Sequence, residues 1–192
     1  MKKLGLAFAL YFGGIFCSEA IGQTEKIEDL YLPKAEGKVI YQKVLDLKGV
    51  PAKEIFKRAN FWFIDSFKSP NDVVSYNNPE EGIIIGKGNL NLTWVNEKAA
   101  LVVPITVLLS FSVKIEVKEE KLRYSIFDLS ISDLTLRNFR AIESEFTQEK
   151  MYSKKGKPDK YSWDWYYLYE DAIHSLEKSI ESSVAKSESN DW

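Results

Sequence analysis

Cysteine and histidine are nearly missing from this chain, with one of each, Cys17 and His174. A disulfide needs two cysteines, and a zinc site of the usual kind needs several Cys or His ligands. Neither is available. No G-x-S-x-G elbow occurs, which removes the commonest serine-hydrolase signature. An excess of positive charge is also lacking: 26 Lys and Arg stand against 28 Asp and Glu, for a formal net charge of −2. Such a chain has no electrostatic footprint for nucleic acid. The uncharged apolar run Leu4 to Phe16 has thirteen residues, short of the roughly 20 that span a bilayer.

That run has a different meaning at an N-terminus. Met1-Lys2-Lys3 is a basic start, and Ser18-Glu19-Ala20-Ile21-Gly22 is a small-residue stretch that follows the apolar segment. This is the order of a secretory signal peptide. Cleavage is expected after Gly22, leaving Gln23, with Ser18-Glu19-Ala20 as the second choice. Lipidation at Cys17 is disfavoured because Phe16, not a small residue, precedes it. The expected location is the periplasm or the cell exterior, with no stable membrane span after cleavage. Cys17 would leave with residues 1–22. So would Lys2, Lys3 and Glu19, which moves the net charge from −2 to −3.

What remains is rich in aromatic and apolar residues and suits one domain. Residues 23–36 are polar and read as a flexible lead-in. Val39, Tyr41, Leu45 and Leu47 share one parity, the mark of a half-buried strand, with Lys43 as the exception. Val50-Pro51 then opens a helix. Its stripe is Ile55, Phe56, Ala59, Trp62, Phe63 and Phe67, and Ser69-Pro70-Asn71-Asp72 stops it. Four strands follow, from Val73, Ile83, Val103 and Leu122. In the third, every odd position from Val103 to Val117 is apolar, giving eight matches to period two. At about 3.3 Å per residue that strand would reach roughly 50 Å, so a bend is expected. In the fourth, Leu122, Tyr124 and Ile126 are even while Phe127, Leu129 and Ile131 are odd. A strand does not change faces without an extra residue, which predicts a bulge or a sharp bend at Ile126-Phe127. Residues 137–160 read as a polar, solvated loop, with glutamates offsetting five lysines between Lys150 and Lys160. A helix over 162–185 carries the stripe Trp165, Tyr169, Ala172, Ile173, Leu176, Ile180 and Val184. Residues 187–192 form a polar tail. The expected class is α+β, in the order β-α-β-β-β-β-α, with one domain over 37–186.

Several segments in combination resemble a known family: Gly37-Lys38-Val39-Ile40-Tyr41, Lys57-Arg58-Ala59 with Trp62, Glu81 to Gly88, and Val117-Lys118 leading to Arg123-Tyr124 and Asp128. Tyr152-Ser153-Lys154-Lys155-Gly156-Lys157-Pro158 joins them. They are similar to the exported domain of unknown function DUF4468, found mostly in Bacteroidetes. The resemblance implies a TBP-like fold, a class that includes helix-grip domains, in which an antiparallel curved sheet is packed by helices. Some of those hold a hydrophobic ligand between helix and sheet. The resemblance implies no activity.

The remaining motifs favour structure over chemistry. Gly86-Lys87-Gly88 lacks the spacing and the Ser/Thr of a phosphate loop and reads as a bulge or a close approach of another backbone. His174 has Glu170, Asp171, Glu177 and Lys178 as helical neighbours and reads as a solvated residue. Glu80-Glu81 and Glu119-Glu120 sit in turns. Asp128 lies beside the expected bulge and is the more interesting carboxylate. Tyr161, Trp163, Trp165, Tyr166, Tyr167 and Tyr169 crowd nine positions, more than one stripe buries. Trp163, Tyr166 and Tyr167 are therefore expected on a partly wet surface.

These observations point to a non-enzymatic exported binding or interaction domain without a cofactor. In one version a hydrophobic small molecule lies in a groove between Ile105, Leu109 and Phe111 on the sheet and Trp165 and Tyr169 on the helix. In the other the core is solid, and the aromatic helix start or a sheet edge meets another envelope protein. A hydrolase is the third and weakest reading.

Overall fold

The computed structural model describes residues 32–67, 73–95, 104–133 and 138–185. The expected signal peptide, most of the expected lead-in, the helix stop at 69–72, Val103 and the tail lie outside them. Among the described residues no helix is long and apolar enough to cross a membrane.

The chain first makes a small hairpin, β1 (Lys34–Ala35) with β2 (Lys38–Val39). Glu36 and Gly37 link the strands with φ of 51° and 78°. Two positive φ values in a two-residue loop suit the twist of antiparallel strands. The last residues of the expected lead-in are thus ordered, because a local turn gives their backbone a partner.

β3 (Tyr41–Asp46) is the edge strand of the main sheet, followed by α1 (Ala52–Ser66). Pro51, with φ of −63°, caps the start of α1. Ile55, Ala59, Trp62 and Phe63 are buried, on the stripe their spacing predicts. Burying each large member contributes roughly 1.5–3 kcal/mol. The exposed carboxylates of the 119–120 turn serve this region: Glu120 accepts from Gly49 N–H at 2.8 Å and Glu119 from Ala52 N–H at 3.1 Å. They supply partners to backbone donors at the helix start.

β4 (Val74–Asn78), β5 (Ile83–Trp94), β6 (Ile105–Lys118) and β7 (Lys121–Asp133) follow, and the antiparallel sheet has the order β3-β7-β6-β5-β4. β5 and β6 pair without interruption from Ile83↔Glu116 to Trp94↔Ile105. The odd-numbered face of β6 meets the helices: Leu109, Phe111, Val113 and Ile115 are buried. In β7, Ser112 pairs with Phe127 but Ser110 pairs with Ser130. Phe127 is thus still on the outer face with Ser112, and the extra residue is Asp128, with φ of 53°. The bulge exists, but it sits at Asp128 and not at Ile126-Phe127. Apolar parity locates a face change only to within a residue or two, because the outer face also tolerates a half-buried Phe127.

The glycines of Gly86-Lys87-Gly88 lie inside β5, on the core face. A Cβ on Gly86 would stand 2.5 Å from the Phe63 ring, and one on Gly88 would stand 2.5 Å from Phe67 and 2.7 Å from Phe111. Aromatic rings, more than another backbone, press on the strand there.

The 137–160 segment is not a solvated loop. Its described part holds β8 (Arg140–Ala141), which pairs with β7, a 3₁₀ turn (Ile142–Ser144) and α2 (Gln148–Met151). It buries Ile142, Phe146 and Met151. α3 (Lys160–Ala185) then crosses the same face of the sheet as α1. The helices touch: Trp62 Nε1 donates to Ser179 Oγ at 3.0 Å, and Arg58 Nη1 donates to the Val184 carbonyl at 3.0 Å. The second bond satisfies a carbonyl in the last turn of α3, where helical partners run out.

Candidate functional site

The start of α3 is packed on two sides, by the sheet and by the 142–152 segment. Asp159 Oδ2 accepts from Ser162 N–H at 2.9 Å and caps the first turn. Phe146 lies edge-on to Tyr166 at 5.3 Å and also contacts the Tyr169 ring, while Tyr152 meets Trp163 at 6.2 Å. Trp163 and Tyr166 are therefore buried, against the expectation of a wet surface. Tyr161 and Tyr167 are the exposed members of the run. The buried stripe is Trp163, Tyr166, Tyr169, Ile173, Leu176, Ile180 and Val184, and Trp165 stands half-buried beside it.

Beside this helix start lies a pocket of about 300 Å³. Its sheet wall is Leu92, Val107 and Ile131, the core-facing ends of β5, β6 and β7. Its helix wall is Tyr161, Ser162, Trp165 and Tyr169. The third wall comes from the segment after β7: Arg140, Ile142, Glu145, Phe146 and Lys150. β8 aligns Arg140 opposite Ile131, which brings a cation beside the apolar sheet wall. Glu145 Oε1 accepts from Lys150 Nζ at 2.9 Å and faces Arg140 Nε at 3.1 Å. Its side chain is 12% exposed, against 50% for Arg140 and 48% for Lys150. Trp94 extends the aromatic mouth, with its ring 4.9 Å from Tyr161.

Of the five residues expected around a groove, Trp165 and Tyr169 line this pocket. Leu109 and Phe111 do not: both are packed in the core, and the Phe67 ring at the end of α1 lies tilted against Phe111 at 6.4 Å. Ile105 is exposed and pairs with Trp94 at the sheet end. The apolar face of β6 is longer than α3 covers, but α1 fills the gap, so the open space falls one residue pair toward the strand end, at Val107. Arg140, Glu145 and Lys150 were missed by sequence reasoning. The signal was present in Ile142, Phe146 and Met151, three large apolar residues inside a polar stretch.

Among the described residues Trp163 Nε1, buried at this helix start, has no hydrogen-bond partner, while the buried Tyr169 hydroxyl lies beside that of Tyr41. Burial, together with nearby Glu170 and Glu143, holds the Tyr169 hydroxyl firmly protonated. An unpaired buried donor is costly.

Along the other flank of α3, polar groups clasp the edge of the sheet. Tyr41 donates to Glu170 at 2.6 Å, and Tyr124 donates to Glu181 at 2.9 Å and to Glu177 at 3.1 Å. Lys43, the exception in the β3 pattern, reaches Glu181 at 2.8 Å. Its hydrogen bond lowers the Glu181 carboxyl below the usual range, while burial raises that of Glu170. His174 is exposed and stands between Glu170 and Glu177, at 3.7 and 3.2 Å. Among the described residues no group of three or more His, Cys, Asp or Glu is placed to hold a metal ion. Asp128 is exposed and accepts one long bond from Ser112 Oγ, at 3.3 Å.

Five antiparallel strands in series, with β8 at one edge and two helices on one face, define an α+β domain of the TBP-like fold. The family model described as "Domain of unknown function (DUF4468) with TBP-like fold" matches residues 41–132. The chain carries a DUF4468 domain. The crystal structure of a DUF4468 family protein from Bacteroides ovatus superposes with a TM-score of 0.66 at 14% identity, covering 83% of this chain and 93% of that one. A TBP-like protein from Parabacteroides distasonis gives 0.59 at 15% identity, covering 82% of this chain and 99% of its own. At such identities the likeness is one of fold. No curated protein matches the sequence.

Proposed function

We propose that this domain is an exported, non-enzymatic binding module that holds a small hydrophobic ligand in the pocket between α3 and the ends of β5, β6 and β7. The observation that carries this reading is the pocket itself. Its volume of about 300 Å³ falls at the lower end of the roughly 300–1,000 Å³ typical of ligand sites, which are mostly apolar with a few placed polar groups. Leu92, Val107, Ile131, Phe146 and Trp165 supply the apolar surface. The charged wall residues, Arg140, Glu145 and Lys150, are paired with one another, an arrangement that suits orientation of a ligand more than acid–base work. Export rests on the N-terminal sequence, and an intact mass beginning at Gln23 is its check.

The test is a neutral apolar dye such as Nile red, added to the purified protein. Bound dye should fluoresce, and Val107→Trp, which fills the space between sheet and helix, should abolish the signal while leaving the melting temperature nearly unchanged. Absence of dye binding by the parent protein, or undiminished binding by the variant, would count against the pocket. Exposed Tyr161 and Ile105 near the contact of Trp94 with Tyr161 favour a second reading, in which this rim meets another envelope protein. In that case partner binding would survive Val107→Trp.

A further inference from the structure

We infer that the ligand is an amphipathic monocarboxylate, with its apolar body in the pocket and its anionic head at the Arg140 and Lys150 rim. This rests on the binding reading above and goes further in naming the chemical class. Three charged residues line the pocket: Arg140, Glu145 and Lys150. Two cations share one carboxylate, and both meet the same oxygen, Glu145 Oε1. The trio therefore carries one uncompensated positive charge. Its disposition also matters. Glu145 is the inner member, largely hidden beneath the cations, whereas Arg140 and Lys150 are each about half exposed. An incoming head group meets cations first.

Apart from Ser162, the remaining walls are apolar or aromatic, chiefly Leu92, Val107, Ile131, Phe146 and Trp165. They select a hydrocarbon body with no charge of its own. A guanidinium and an ammonium side by side fit a carboxylate, and the size of the pocket suits a short to medium acyl chain. A cationic head would meet like charge and be rejected. Each methylene added to the chain should tighten binding by up to about fourfold until the pocket is full.

The experiment compares decanoate, decan-1-ol and decyltrimethylammonium on the full exported chain by calorimetry, with Trp fluorescence as a second readout. Decanoate should bind, decan-1-ol more weakly, and decyltrimethylammonium not measurably. Glu145→Gln frees both cations and should tighten decanoate by about three- to tenfold, leaving decan-1-ol within about twofold. The double change Arg140→Gln with Lys150→Gln should weaken decanoate by a similar factor. Because that variant strands Glu145, the triple change that also carries Glu145→Gln serves as its folded counterpart and should show the same loss. Raising salt should weaken decanoate alone. If decan-1-ol and Nile red bind but decanoate responds to none of these changes, the anionic head is wrong and the apolar pocket stands. If neither alcohol, acid nor dye binds, the pocket reading falls with it.

Discussion

Glu170 illustrates how one side chain ties the helix to the sheet at an electrostatic cost. Tyr41 donates to it at 2.6 Å and His174 stands 3.7 Å away, yet burial outweighs both and raises its carboxyl above the ordinary glutamate value. The sign then follows from proton linkage. With a raised folded value, the native state binds more protons than the unfolded chain, and stability falls as pH climbs from about 4.3 through the folded value. Glu170→Gln keeps an acceptor for Tyr41 and removes the ionisation. Relative to the parent, it should gain stability as pH rises from 4 to 7, read from urea midpoints at each pH. A variant that instead loses ground toward pH 7 would mean that the charged contact with Tyr41 and His174 outweighs burial. Glu181 runs the opposite way. The Lys43 bond lowers its carboxyl, so its contribution is present above the ordinary value and lost as pH falls through the folded one. Both partners are partly exposed, so the loss is small.

At the scale of an element, β7 is shaped by a single left-handed residue. Asp128, at φ of 53°, lets Tyr124 and Ile126 face the helices before it and Leu129 after it. Aspartate tolerates this conformation better than most residues, and a β-branched side chain tolerates it poorly. Asp128→Val should therefore destabilise by about 1–2 kcal/mol. Asp128→Gly should stay near the parent, since the bond it loses to Ser112 is long, at 3.3 Å. Chemical denaturation of the pair is the measurement, and equal losses would show that the side-chain contact, not the backbone, matters.

Across the whole molecule, the division of labour between the helices decides where open space remains. α1 brings Phe63 and Phe67 onto Gly86 and Gly88 and closes the Phe111 end of the sheet. α3 and the 142–152 segment close the other end incompletely and leave the pocket at Val107. Phe111→Trp is thus an overpacking change and should cost about 1–3 kcal/mol, while dye binding in the pocket is retained. Val107→Trp should do the reverse. A Phe111→Trp variant of unchanged stability with lost dye binding would place the cavity at Phe111 after all.

Periodicity and turn chemistry carried most of this fold in the open. The period-two runs of β3, β6 and β7, the 3.6-residue stripe of α1 and the need for a bulge in β7 were legible, because each depends on neighbours close in sequence. Residue-level geometry was less so. Trp163 and Tyr166 looked peripheral because their burial depends on Phe146, Met151 and Tyr152, residues in a stretch whose net polarity hid three core side chains. Lys43 looked like a lapse in a strand until Glu181, 138 residues later, stood opposite it. The pocket depended still more on tertiary structure. Sequence alone put an apolar surplus on β6 and aromatics at the start of the last helix. Which part of the surplus stayed uncovered was set by the lengths and placement of two helices and one irregular segment, all packed against the same face of the sheet.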